Sequence, residues 1–221
     1  KEVHHQHWAK SYAQQVEDGF LIHHQNYQSA YKGKPAPSDT PMTARKRLEE
    51  KQIGISRLEQ VRDIFLFCCL TGLAYVDVAS LNMENIVEGK RGRQWLRKAR
   101  NKTNNMCNIP LLRPALRILE KYAEYRTATG RLLPVPSNQK MNAYLKELAT
   151  LCGVTKNLTT HCARHTFATT VTLANGASLE NVSKMLGHSS VRMTQHYAKI
   201  LNSSIERDMD KIESELIGED E

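Results

Sequence analysis

From residue 42 onward the apolar residues recur every three or four positions, and only between residues 94 and 111 does the spacing switch to alternation. A helix gathers positions three and four apart onto one face, whereas a strand sends successive side chains to opposite faces. The pattern therefore predicts an α+β fold, mainly α, with a small antiparallel sheet. Leu48, Ile53, Leu58, Val61, Ile64, Phe65, Cys68 and Cys69 fit one buried helix ending near Thr71-Gly72, and a short helical piece begins over 77–81. Residues 94–99 and 106–111 read as two strands, with Asn104-Asn105 as turn material between them. Further helices are expected over 114–125, over 137–152 between a Ser137 cap and a Gly153 stop, and over 159–174 before Asn175-Gly176. Ser178 caps a short helix that ends at Leu186-Gly187, and Ser190 opens the helix carrying Tyr197.

Residues 32–41 hold Gly33, Pro35, Pro37 and Pro41 and form the clearest linker in the chain. They divide it into an N-terminal segment over 1–40, a domain over 41–202 and a tail over 203–221. The N-terminal histidines His4, His5, His7, His23 and His24 lack an accompanying Cys or carboxylate constellation, so the segment reads as solvated or partly helical and no metal site is expected. The five cysteines form no C-x-x-C pair and read as reduced packing residues. That usage, with no apolar run of membrane-spanning length and no signal segment, points to a cytoplasmic protein without a membrane partner.

Charge narrows the partner. Thirty-one Lys and Arg against 23 Asp and Glu leave a formal net charge of +8. An excess this large favours a polyanion, nucleic acid ahead of an acidic membrane surface.

The chemistry is concentrated between His161 and Tyr197: His161-Cys162-Ala163-Arg164-His165, then Gly187-His188-Ser189-Ser190, then Gln195-His196-Tyr197. His161 and Arg164, three apart, share a helix face. A guanidinium fork matches two phosphate oxygens, and an imidazole beside it can donate a hydrogen bond or move a proton. His188 falls on a turn just past a helix end. Tyr197 supplies a phenolic oxygen that can act as a covalent nucleophile. His165 and His196 read as structural.

These residues resemble the catalytic signature of the tyrosine recombinase family: His161-x-x-Arg164, Leu186-Gly187-His188, and Tyr197 nine residues later. Upstream, Thr71-Gly72-Leu73 resembles the family's first helical motif, and Lys102-Thr103 followed by Ile109-Pro110-Leu111 resembles its β-hairpin. The likeness covers about residues 42–202 and has the flavour of integrases from Bacteroides-type conjugative transposons. It implies the family's helical catalytic domain and a site-specific recombinase acting on double-stranded DNA at attachment sites, without metal or other cofactor. Tyr197 would form a 3′-phosphotyrosyl link, Arg164 would neutralise the phosphate, and Lys102 would protonate the leaving 5′-oxygen. His161 would assist proton movement and His188 would hydrogen-bond the phosphate. Residues 1–40 would be a remnant of the helical domain that usually precedes the catalytic one, and accessory DNA-bending proteins would be further partners.

One position departs from the pattern: Ala74 stands where the family places its first arginine. Arg100 is the candidate substitute, on the reasoning that i and i+2 in a strand share a side, which would aim Arg100 and Lys102 at one phosphate. Arg91, Arg93, Arg97 and Lys98 are expected to contact the DNA backbone. In the tail, Ile205, Met209, Ile212 and Leu216 form a narrow apolar stripe suited either to self-association on DNA or to packing on its own domain. Two rival functions stay open: a type IB topoisomerase that relaxes DNA, and a non-catalytic DNA-binding module.

Overall fold

The computed structural model describes residues 41–198 together with Met209, Ile212 and Glu213. The fold is built around one helix. Helix α1 spans Pro41–Glu50 and α2 spans Ser56–Thr71. Every residue of α2 from Asp63 to Thr71 is buried, which is what an apolar run wide enough to face neighbours on all sides requires. Helices α4 (Arg113–Lys121), α6 (Asn138–Leu151) and α7 (Thr160–Thr166) pack around it. Asp63, the charged residue inside this run, accepts hydrogen bonds from Lys121 Nζ at 2.6 Å and Tyr122 Oη at 2.9 Å. Burial and that carboxylate push the Tyr122 phenol up, so it remains a donor. The single helix expected over 48–71 is in fact two, separated by residues 51–55, because Gly54 turns left-handed at φ 67°.

After α2, Gly72 closes the helix at φ 69° and the short helix α3 (Tyr75–Ala79) follows. The sheet has three strands rather than two: β1 (Ile86–Glu88), β2 (Gln94–Ala99) and β3 (Met106–Pro110), antiparallel in the order β1-β2-β3. β1 is only three residues long and half-exposed, too short for alternation to announce it. In β2 and β3, Leu96 faces Ile109 and Lys98 faces Cys107, so Leu96, Cys107 and Ile109 point into the core. The helix expected over 114–125 breaks at Tyr122 into α4 and α5 (Ala123–Thr129).

The helix after Thr159 runs unbroken to Asn175 but is not uniform. The Thr159 hydroxyl caps it by accepting from Cys162 N, residues Phe167–Thr172 then widen to π-helical turns, and Gly176 ends it at φ 80°. π-Turns inside α-helices accompany functional sites, and this one begins three residues past Arg164. Helices α8 (Leu179–Leu186) and α9 (Arg192–Ala198) complete the described domain. Ser178 caps α8 through Asn181 N, and Gly187 ends it at φ 61°. No described helix is long and apolar enough to cross a membrane. The linker and the N-terminal histidines lie outside the described residues, as do Ile205 and Leu216; Met209 and Ile212 are exposed.

Candidate active site

Arg164 is the centre of the site. It rises from α7 and is 6% exposed. Nη1 donates to Gly72 O at 2.6 Å, and Nη2 donates to Leu186 O at 2.7 Å and to His188 Nε2 at 3.1 Å. Both carbonyls belong to helix ends, where backbone oxygens lack intrahelical partners. The glycines that end α2 and α8 thus turn the chain so that two orphan carbonyls converge on one guanidinium. At Gly72 a Cβ would run into the Phe167 ring and approach Leu186 Cδ2 to 2.8 Å, so only glycine admits the two helices this closely.

Burial and the neighbouring Arg100 charge push Arg164 below its ordinary value, opposed by Tyr197 and Cys107. It stays charged nonetheless, since arginine does not deprotonate in proteins. Among the described residues no carboxylate pairs with it.

Arg100 enters from the sheet. β2 ends at Ala99, and residues 100–105 form a turn in which Arg100 N donates to Asn105 O and Asn104 N to Arg100 O. The turn is pinned on both sides. Asn101 N donates to Asp77 Oδ1 at 2.8 Å and Asn101 Nδ2 to Val76 O at 3.1 Å, while Asn105 Nδ2 reaches Gly187 O at 3.4 Å. Arg100 Nε lies 3.9 Å from Asp77 Oδ2 and is buried without a hydrogen-bond partner. Its aliphatic stem lies beneath Gly187, where an added Cβ would sit 2.8 Å from Arg100 Cδ and 2.8 Å from Cys107 Sγ.

Strand alternation does not carry Arg100 and Lys102 to one side, because neither is in a strand. Arg100 turns inward to Asp77, and Lys102 stands exposed at the tip of the turn. Ala74 is the residue just before α3, on the same short helix entry as Asp77. Arg100 approaches from the hairpin instead, and its charge acts on both Arg164 and His188.

Tyr197 on α9 is buried, and its phenol interacts with the Arg164 guanidinium. Its ring is edge-on to His165 at 4.7 Å and parallel to His188 at 6.3 Å; His165 in turn is edge-on to His161 at 5.3 Å. His161 sits at the exposed rim, and partial burial with the Arg164 charge lowers it. Burial and the charges of His161 and His196 bring His165 down to about 4. Burial and the two guanidiniums do the same to His188, also to about 4.

His165 was readable only as a structural residue, yet it packs on the Tyr197 ring. Thr194, whose Oγ1 lies 2.8 Å from His188 Nδ1, carried no chemical signal of its own. The one hint was its place three residues before Tyr197 on the same helix face. Among the basic residues of the hairpin, Arg97 is exposed and Lys98 half-buried along β2, whereas Arg91 and Arg93 lie exposed at the opposite end of β2 from Arg100. At roughly 3.3 Å per residue that is about 20 Å away. The cysteines are free thiols. Burial pushes Cys68 up to about 12 and Cys107 up to about 11, as for packing residues. No group of three or more His, Cys, Asp or Glu among the described residues is arranged to hold a metal ion.

The model of the phage integrase family matches residues 12–203. The chain belongs to the phage integrase family. The match begins within the N-terminal segment, at residue 12. Tyrosine recombinase XerA of Pyrococcus furiosus is 28% identical over 186 residues, covering 77% of this chain and 63% of that protein. A crystal structure of XerA recombinase has a TM-score of 0.57 at 23% identity, covering 80% of this chain and 65% of that one. A structure of the Tn1549 transposon integrase in complex with a circular intermediate DNA has a TM-score of 0.56 at 17% identity, covering 80% and 67%. These structures share the helical catalytic-domain fold with its small antiparallel sheet. The chain spans less than two thirds of the XerA protein it matches.

Proposed function

We propose that this domain is the catalytic part of a site-specific DNA recombinase that cuts and rejoins strands through Tyr197. The observation that carries the reading is a surplus of buried positive charge beside a tyrosine. Arg100 lies close enough for its charge to act on Arg164, Asp77 is the carboxylate that faces Arg100 at 3.9 Å, and Arg100 Nε has no hydrogen-bond partner. Buried charge and orphaned buried donors are costly unless paired. A phosphodiester, with one negative charge and two non-bridging oxygens, supplies what the pocket lacks.

In the reaction the Tyr197 oxygen attacks phosphorus, its proton leaving with assistance from His161. A phosphotyrosyl bond forms at the 3′ side, the bond to the 5′-oxygen breaks, and Lys102 gives that oxygen a proton. Attack by a 5′-hydroxyl from another strand reverses these steps. Arg164 and Arg100 stabilise charge on the non-bridging oxygens in a site where solvent screening is weak. Arg100 thereby takes the place left by Ala74. Arg91, Arg93, Arg97 and Lys98 extend basic surface along the hairpin for backbone phosphates.

The wording around Arg164 and His188, with the fold shared with the Tn1549 integrase, supports an element of the conjugative-transposon kind, and the exposed Met209 and Ile212 support a tail at 203–221 that docks on a second copy. The buried Tyr197 beside Arg164 favours a catalytic domain over a non-catalytic module, and recombinases such as XerA are among the relatives the sequence matches.

The test is covalent trapping. The protein is incubated in EDTA with nicked suicide DNA substrates, and an adduct that survives detergent is expected for the parent and absent for Tyr197→Phe. If the full-length protein on its own element's ends gives no adduct, the binding-module reading replaces this one.

A further inference from the structure

His188 is held at both ring nitrogens: Nε2 lies 3.1 Å from Arg164 Nη2 and Nδ1 lies 2.8 Å from Thr194 Oγ1. These contacts fix the location of its proton. An arginine guanidinium offers only N–H donors, so Nε2 must be the acceptor and carries the lone pair. With burial and two guanidiniums bringing the ring down to about 4, His188 is neutral at neutral pH. A neutral imidazole that accepts at Nε2 bears its hydrogen on Nδ1, and that N–H donates to the Thr194 hydroxyl. Which nitrogen is protonated is decided by the bond the other one makes.

We propose that Thr194 is a positioning residue of the active site: it holds the His188 proton on Nδ1 and thereby keeps the Nε2 lone pair on Arg164. Thr194 is fully buried. Without it the Nε2–H tautomer would point a donor at a donor and release the Arg164 guanidinium from one of its three restraints. Thr194 sits one helical turn before Tyr197 on α9. Seating the nucleophile's helix and fixing the phosphate clamp are therefore one event. The free domain also holds His188 as an acceptor toward Arg164, so its Nε2 is not available as a hydrogen donor to phosphate in this state.

The consequence for cleavage rests on the recombinase reading above, whereas the tautomer does not, and the experiment separates them. Thr194→Val keeps the shape of the side chain and removes the hydroxyl; Thr194→Ser keeps the hydroxyl and removes a buried methyl. Single-turnover adduct formation on suicide DNA is measured on the full chain beside nitrogen-15 NMR of histidine-labelled protein, with the His188 signal assigned by its loss in His188→Asn. The parent is expected to show Nδ1–H at His188. Thr194→Val should lose that signature and form adduct about 10–100-fold more slowly, by analogy with metal-binding histidines that lose their orienting partner. Its DNA affinity should be unchanged, and Thr194→Ser should stay near the parent. A purely structural role gives the reverse order, with Ser impaired and Val tolerated, and overturns the proposal. So does an Nε2–H ring in the parent, or an Nδ1–H signature that persists in Thr194→Val. If the parent forms no adduct on any DNA the recombinase reading fails, and the ring spectra alone still decide the role of Thr194.

Discussion

Gly187→Ala should separate two costs that coincide at one residue. Gly187 has φ 61° and ψ 41°, in the left-handed region, where a Cβ costs about 1–2 kcal/mol. Its Cβ would also stand 2.8 Å from Cys107 Sγ and from Arg100 Cδ. Cys107 is fixed in β3 and fully buried, and the Arg100 side chain is 12% exposed and held near Asp77. Neither can retreat cheaply, and overpacking of this kind costs about 1–3 kcal/mol. The total is about 2–5 kcal/mol. Gly176→Ala is the control, since Gly176 has φ 80° with nothing within 4 Å of an added Cβ, so only the backbone cost applies. The gain from stiffening the unfolded chain is common to both variants and cancels in the comparison. Guanidinium denaturation at pH 7.5 should therefore show Gly187→Ala less stable than Gly176→Ala by about 1–3 kcal/mol, with similar m values. The displaced Arg100 should also make Gly187→Ala slower in adduct formation under conditions where it is fully folded. Equal stability losses in the two variants, within about 0.5 kcal/mol, would refute the claim that the His188 turn rests on Arg100 and Cys107.

Arg100→Ala should slow adduct formation by about 10²–10³-fold, as expected for removing one preorganised donor to a developing anion, and a variant that cleaves like the parent would remove Arg100 from the site. Lys102→Ala should slow it by about 10²–10⁴-fold, and a substrate whose 5′-bridging oxygen is replaced by sulfur, which leaves without a proton, should rescue Lys102→Ala and not Arg100→Ala. Stability should fall as the solution is acidified, because His165 and His188 are held near about 4 when folded and return to about 6.5 when unfolded. A depressed folded value means that the unfolded chain takes up protons first, so the contribution is complete above pH 6.5 and is lost as pH falls toward 4. The loss between pH 7 and pH 5 should be at most about 2 kcal/mol per imidazole. His165→Gln or His188→Gln should flatten that slope in denaturant titrations, and an unchanged slope in both would mean the rings are not desolvated.

What the sequence disclosed and what it withheld follow from the range over which each signal acts. The helical period and the caps at Ser137 and Ser178 are local, and these elements appear where expected. The breaks at residues 51–55 and at Tyr122 were missed because apolar spacing continues across them. β1 was missed because three half-exposed residues make no pattern. In the site, each of Arg164, His188 and Tyr197 was legible as a residue, but the relation among them depends on backbone carbonyls. Gly72 O and Leu186 O hold the guanidinium, and a carbonyl has no residue-type signature. Arg100 shows the same limit from the other side. Strand alternation does not account for its position, since β2 stops one residue short of it. It still reaches the pocket, because Asp77 holds the turn and Gly187 leaves room for its stem. The position of Arg100 thus depends on three features, each ordinary alone: the buried acid Asp77, the missing Cβ at Gly187, and a hairpin end. On the proposal made above, the site needs a second cation beside Arg164 and not a side chain from the helix that follows Ala74, so an arginine at the hairpin end would make Ala74 tolerable.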